Sequence, residues 1–381
     1  MKQISTSTKL TLLLIAMTTM MSNVAIVTAL PHLKDTFVNE ANIEFLARLM
    51  ITMPSVAIAF LAPFLGHIVY KIGRKTSALM ALFLFTLAGT AGLYLETMNL
   101  LLFSRFLLGI AIATLMIVST SLVGDYFKGD QRNKFMGMQG AFISLGGVVF
   151  VVGGGMLSDI HWRYSFLIYF IGLLLLPMVY AFLNEKIPMH DVQEDENLNS
   201  NLFIIYVLAF LLMLVFYILP TQIPFLIINQ FGASGTITGS IIATAFVSNA
   251  IGAITFRKLK QKFSFEQVYM IGMAVISFGF ICIGLVKDVQ FFFLTAPIMG
   301  FGGGILMTNM TAWILSRAHS KKRIQASAYL TSSLFLGQFF SPILFHPVVS
   351  FFGVKDFFIL IGCFVGMITF MSVLILRRKI H

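Results

Sequence analysis

Gly66-His67-Ile68-Val69-Tyr70-Lys71-Ile72-Gly73-Arg74-Lys75 closes one long apolar run and opens the next. The run before it covers residues 48–70, and the run after it covers 77–96. A helix that crosses a bilayer needs about 20 mostly apolar residues, and both runs have that length. Between them the chain turns within a few residues rich in Gly, Lys and Arg. Cations of this kind collect in short cytoplasmic loops. The stretch therefore reads as two membrane spans meeting at a basic surface.

The same alternation fills the chain. Further runs lie near 10–30, 100–124, 134–157 and 162–183, then 202–222, 236–256, 266–286, 291–315, 325–347 and 355–376. Together they predict an all-α integral membrane protein of about twelve helices. Composition agrees: 58% of the 381 residues are hydrophobic and 11% charged, against about 25% charged in soluble domains. The first run follows Lys2 and Lys9 but is too long for a signal-peptide core, so it is read as a retained helix. Cys282 and Cys363 both fall inside apolar runs, which excludes a disulfide framework or a zinc knuckle.

The net charge of +11 does not predict a nucleic-acid partner, because the cations are dispersed in small clusters between spans. Of 26 Lys and Arg, 20 fall in one set of loops and 5 in the other (Lys34, Arg48, Arg163, Lys287 and Lys355), with Arg105 inside a span. That asymmetry places the heavy side, and both termini, in the cytoplasm. Residues 184–201 form an acidic cytoplasmic linker, dividing the chain into six-helix halves at 1–183 and 202–381. The halves echo each other. Gly66 stands four residues before Tyr70-Lys71, and Gly252 stands four before Phe256-Arg257. Repeats of this kind are the architecture of secondary transporters.

These residues resemble the twelve-span drug-efflux type of the major facilitator superfamily, drug:proton antiporters, over nearly the whole length. Gly66, Lys71, Gly73, Arg74 and Lys75 fit the loop that follows the family's second helix, with Tyr70 where an Asp is usual. The resemblance implies a cytoplasmic gating loop there, for which Asp125 is the nearest acidic partner to Arg74 or Lys71. Arg105, Gly109 and Ala113 resemble an Arg-xxx-Gly signature whose Arg is linked to proton transfer. A competing reading has Arg105 snorkelling to headgroups. Gly146, Gly153, Gly154 and Gly155 resemble the antiporter motif of helix five, although its Gly-Pro pair is replaced by Phe150-Val151. Helix eleven carries Gly337 and Pro342 instead. The resemblance makes Gly146, Gly154, Gly155, Gly337 and Pro342 helix-bending positions, with simple tight packing as the alternative. Trp162-Arg163-xx-Phe166 resembles the family's opening of helix six.

No spacing in the chain suggests covalent catalysis, a Walker loop or a metal site, so neither an enzyme nor a cofactor is expected. Energy must come from a gradient. An intramembrane carboxylate is the usual sign of proton coupling, and here Asp and Glu cluster at helix ends. Ser22 stands where some drug-efflux relatives carry an Asp. Arg105, with Glu96 or Asp35, is the candidate proton relay. Asn23, Gln139, Tyr217, Asn249, Asn309 and Gln338 are the candidate cavity-lining polar residues, on helices that the resemblance makes cavity-facing. With 40 Phe and 22 Met, the cavity should be aromatic and adaptable. The reading is a monomeric inner-membrane carrier exporting hydrophobic or amphipathic compounds by alternating access with proton coupling. A carrier for one metabolite, such as a siderophore, sugar or amino-acid derivative, is the alternative. A membrane-embedded enzyme or sensor is more remote.

Overall fold

The computed structural model describes residues 4–127, 129–183, 202–318 and 323–378. The chain divides into two compact units, Met1–Glu196 and Asn197–His381. The acidic linker expected at 184–201 lies outside the described residues.

The first unit begins with α1 (Thr6–Val24), a 3-10 segment (Val27–His32) and the short α2 (Leu33–Thr36). It continues with α3 (Ile43–Ile72), α4 (Arg74–Gly89) extended by a 3-10 turn (Thr90–Leu93), α5 (Met98–Tyr126) and α6 (Gly129–Ile160). A 3-10 segment (Trp162–Phe170) then leads into α7 (Ile171–Phe182). The second unit comprises α8 (Leu202–Phe216), α9 (Ile218–Pro224), a π turn (Phe225–Gln230) and α10 (Gly235–Lys260). It ends with α11 (Phe265–Leu285), α12 (Phe292–Arg317), α13 (Arg323–Phe352) and α14 (Val354–Arg378).

Among the described residues, 11 helical segments are long and apolar enough to cross a membrane. The expected twelfth span is α1, which has 19 residues but carries many hydroxyls. Its Thr side chains are satisfied locally. Thr11, Thr18 and Thr19 donate to the carbonyls of Ser7, Ile15 and Ala16 at 2.7–2.8 Å. Returned to their own helix, they avoid the cost of an unpaired polar group in an apolar setting. Thr8 instead donates to Phe182 O at 3.0 Å and ties α1 to the end of α7.

Three spans expected as single runs are interrupted. The first gives way after Val24 and tightens into a 3-10 turn that holds Pro31. The sixth opens as the 3-10 segment from Trp162. The seventh stops at Phe216, four residues before Pro220. A proline ring clashes with the carbonyl four residues back and supplies no N–H, which ends α8 at that residue. Tyr217 then stands between α8 and α9.

Small residues let helices meet closely. In the first unit α5 packs on α3 and α4, and α1 packs on α5 and α6. A Cβ on Gly109 of α5 would collide with Pro54 O of α3. In the second unit α12 is the hub. Successive helical residues point about 100° apart, and Gly302, Gly303 and Gly304 face α11 at Gly272, α8 at Phe216 and α10 at Asn249. The three adjacent glycines are thus a packing device. One more glycine is conformational: Gly73, at φ 93°, makes the turn from α3 into α4, a region that L side chains rarely adopt.

Candidate functional site

The last carbonyls of a helix lack intrahelical partners and carry partial negative charge. At the end of α4 two arginines supply the missing donors. Arg105 of α5 is fully buried, and its Nη2 donates to Ala88 O at 2.9 Å and Gly89 O at 2.8 Å. Arg163, from the 3-10 segment, donates through Nη1 to Gly92 O at 2.7 Å and Leu95 O at 2.9 Å. Two motifs distant in sequence therefore meet at one helix terminus.

Aromatic rings complete the enclosure. The Arg105 guanidinium lies 5.0 Å from the Phe166 ring centroid and 5.2 Å from that of Tyr169, within the range of cation–π attraction. Those rings fit because Gly92 and Gly89 leave room for them. Arg105 Nη1 also donates to Tyr169 OH at 3.2 Å, and that hydroxyl donates to Met21 O at 3.0 Å. The chain of bonds runs from α5 through Tyr169 to the last turns of α1, next to its interruption. Snorkelling does not describe this Arg.

The structure does not join the other proposed relay members to it. Glu96 and Asp35 are exposed, and among the described residues Arg105 is in no ion pair. A second buried Arg escaped the sequence reading, which counted Arg48 with the loops although its apolar run begins there. Helix α3 starts five residues earlier than the expected run, so Arg48 lies in its second turn with 1% of its side chain exposed. It pairs with Glu44 at 3.4 Å, and Glu44 also pairs with Lys34 at 3.3 Å. The i, i+4 spacing of Glu44 and Arg48 was the available signal.

At the basic turn, Arg74 forms an ion pair with Asp125, both largely buried. Lys75 Nζ stands 4.8 Å over the Tyr180 ring. Tyr70 and Lys71 are exposed, and a Cβ on Gly66 would meet nothing within 4 Å.

The expected helix-bending residues sit at contacts. Gly146 faces Met17 and Gly154 faces Ala25 O, both on the α1 side, while α6 runs unbroken. Gly155 accepts from Ser158 Oγ at 2.8 Å. Gly337 faces Phe210 O of α8, and Pro342 lies inside the continuous α13.

The polar span residues divide by environment. Asn23 is buried at the end of α1, and Tyr217 is buried at the break between α8 and α9. Gln139 is half-buried and donates to Ser119 Oγ at 2.8 Å, between α6 and α5. Asn249 is half-buried on α10. Asn309 is fully buried, its amide donating to Phe265 O at 3.1 Å, which binds α12 to the start of α11. Gln338 is buried, with Nε2 3.7 Å from Met213 Sδ, between α13 and α8.

The sequence profile of the Major Facilitator Superfamily matches residues 12–205 and 205–381. The chain belongs to the Major Facilitator Superfamily. Among curated superfamily relatives, multidrug resistance protein 3 of Bacillus subtilis (strain 168) is 24% identical over 344 residues, covering 73% of this chain and 67% of its own. The tetracycline resistance protein, class H, of Pasteurella multocida is 24% identical over 346 residues, covering 86% and 85%. Among solved folds, a crystal structure of a POT family transporter in complex with a thioalcohol-conjugated peptide superposes with a TM-score of 0.78. That match is 14% identical and covers 98% of this chain and 96% of the other. The superfamily and the fold are those of transporters, not enzymes.

Proposed function

We propose that this protein is a secondary exporter of small hydrophobic or amphipathic compounds, working by alternating access and coupled to protons. The observation that carries the reading is the matched interruption of the first helix of each half. Helix α1 yields after Val24 and α8 yields at Tyr217, and each break places a buried polar side chain, Asn23 and Tyr217, beside it. Discontinuous helices at corresponding positions of the two halves are the best pointer to a transport site. Among the described residues no Asp or Glu side chain is fully buried, which favours neutral or weakly charged cargo. The names of the multidrug and tetracycline resistance relatives support the same class.

Proton coupling centres, in this reading, on Arg105. Its bonded path through Tyr169 to Met21 reaches the α1 break, so a change at Arg105 is felt where cargo would bind. The basic turn around Gly66, Tyr70, Lys71, Gly73, Arg74, Lys75 and Asp125 acts as the gating loop. The Lys and Arg asymmetry supports an orientation with both termini in the cytoplasm, and in this reading the protein works as a monomer in the inner membrane.

Two measurements test the reading. Cells overproducing the protein should resist several chemically unrelated hydrophobic agents, whereas a single-compound phenotype would point to a dedicated metabolite carrier. In sealed vesicles, dye movement should follow an imposed pH gradient and collapse with a protonophore. Transport indifferent to both treatments would remove proton coupling.

A further inference from the structure

The second unit holds a cavity of about 780 Å³, well within the volume range of ligand sites. Helix α8 lines it from Ile204 to Val215, and α14 from Ile361 to Ser372. Each stretch advances eleven residues (215 − 204 and 372 − 361), or roughly 16 Å at the helical rise. That is about half of a hydrocarbon core of ~30 Å. The slot is one leaflet deep.

Its polarity is confined to one end. Along the walls, Tyr269 OH donates to Leu208 O at 3.0 Å, Thr369 to Val365 O at 2.7 Å and Ser372 to Ile368 O at 2.8 Å. The donor hydrogen of each hydroxyl is thus already committed within the protein. The two charged lining residues are Glu266, in the first turn of α11, and Arg317, in the last turn of α12. Both stand at the end where α8 begins and α14 finishes, and among the described residues neither is in an ion pair. Trp313 lines the cavity beside them, stacked on Phe265 at 5.8 Å, with Lys260 Nζ 4.2 Å from that ring. Trp with nearby cations marks the headgroup level of a bilayer.

We propose that this slot binds one glycerophospholipid of the adjacent leaflet, one of its two acyl chains between α8 and α14 and a zwitterionic headgroup across Glu266 and Arg317. The guanidinium takes the phosphate, and the carboxylate takes the ammonium. An anionic headgroup without an ammonium would leave Glu266 facing like charge. A headgroup carrying a trimethylated ammonium cannot donate a hydrogen bond to the carboxylate. The primary-ammonium zwitterion, phosphatidylethanolamine, meets both requirements. The inference stands apart from the export reading, because it concerns a site within one unit and a resident lipid.

The chain has 2 Trp, so Trp162→Phe leaves Trp313 as a reporter inside the slot. The full-length protein is reconstituted in phosphatidylcholine, and chain-brominated lipids are titrated in as quenchers. Brominated phosphatidylethanolamine should quench Trp313 at a several-fold lower mole fraction than brominated phosphatidylcholine or phosphatidylglycerol. Glu266→Gln and Arg317→Gln should each bring the three lipids level. Native mass spectrometry of the unsubstituted protein should retain one phosphatidylethanolamine per chain, a readout that survives poor folding of any variant. Equal quenching by all three lipids would overturn the proposal in favour of annular contact. Displacement of the bound lipid by a transported dye would overturn it in favour of a cargo crevice.

Discussion

Arg105 Nη2 lies 2.8 Å from the carbonyl oxygen of Gly89, so a cation carried by α5 terminates α4. An Arg at the centre of a span costs about 2.5–3.5 kcal/mol on insertion scales. Here three hydrogen bonds and two rings offset that cost without a carboxylate. Arg163 repeats the arrangement one turn further along, at Gly92 and Leu95. The resemblance assigned these two arginines to separate motifs, yet they hold the same helix end.

Arg105→Ala should lower the melting temperature in detergent as well as abolish transport, because it leaves two buried carbonyls and Tyr169 without their donor. Hydrogen bonds to a charged group contribute roughly 1.5–3 kcal/mol. Arg105→Lys should restore part of the stability, since an ammonium cannot reproduce the planar fork. Tyr169→Phe should cost less stability but weaken coupling, because it cuts the path to Met21 and one of Arg105's three bonds while both carbonyl bonds remain. Thermal melts beside pH-driven dye transport in vesicles separate these effects. An Arg105→Ala protein with unchanged melting and transport would overturn both roles.

The Arg74–Asp125 pair links the start of α4 to the end of α5. Asp125→Asn should slow transport, and the exchange Arg74→Asp with Asp125→Arg should recover part of the rate. A double-mutant cycle on melting temperature should return a coupling of about 0.5–3 kcal/mol, the range for residues in direct contact. Zero coupling would show that the pair contributes nothing beyond the separate residues.

Adjacent glycines of α6 predict opposite outcomes. Gly154→Ala puts a methyl into Ala25 O, which must separate α6 from α1. Gly153→Ala meets only Ile168 Cδ1, at 3.9 Å. The first should destabilise by about 1–3 kcal/mol, the usual cost of overpacking, and the second should be near neutral. Expression level and thermal melts of the two proteins check the ranking.

Asn309 and Tyr217 separate packing from cargo recognition. Asn309→Leu should lower stability while leaving the spectrum of exported compounds unchanged, because its amide is held by Phe265 O. Tyr217→Ala, at the α8 break, should shift the spectrum. Resistance profiles normalised to the amount of folded protein check this. A spectrum altered by Asn309→Leu and not by Tyr217→Ala would reverse the assignment.

The apolar runs, the basic turn at Gly73 and the doubling of the pattern were legible in the sequence because a bilayer imposes length, polarity and charge rules residue by residue. Asp125 as the acid near Arg74 was legible for the same reason: both flank spans that end on one side. The breaks were less so. Pro220 announces the end of α8, but Val24 to Val27 contains no proline or glycine, and the hydropathy there never falls. Arg48 was misread because a helix start is set by contacts, and α3 begins before its apolar run does.

The turn from which the reading began, Gly66 to Lys75, shows the division well. Its sequence determined that two spans meet there, that the chain turns within a few residues, and that cations crowd the surface. Tertiary structure decided the pairings: Arg74 with Asp125, Lys75 over Tyr180, and Gly66 with nothing beside it. The reason is physical. Membrane insertion depends on local transfer free energy, which a linear sequence states directly. Which buried polar groups satisfy each other depends on helices brought together from distant positions. Asn309 therefore became a tie between helices, and Arg105 became the cap of a helix that lies outside its own span.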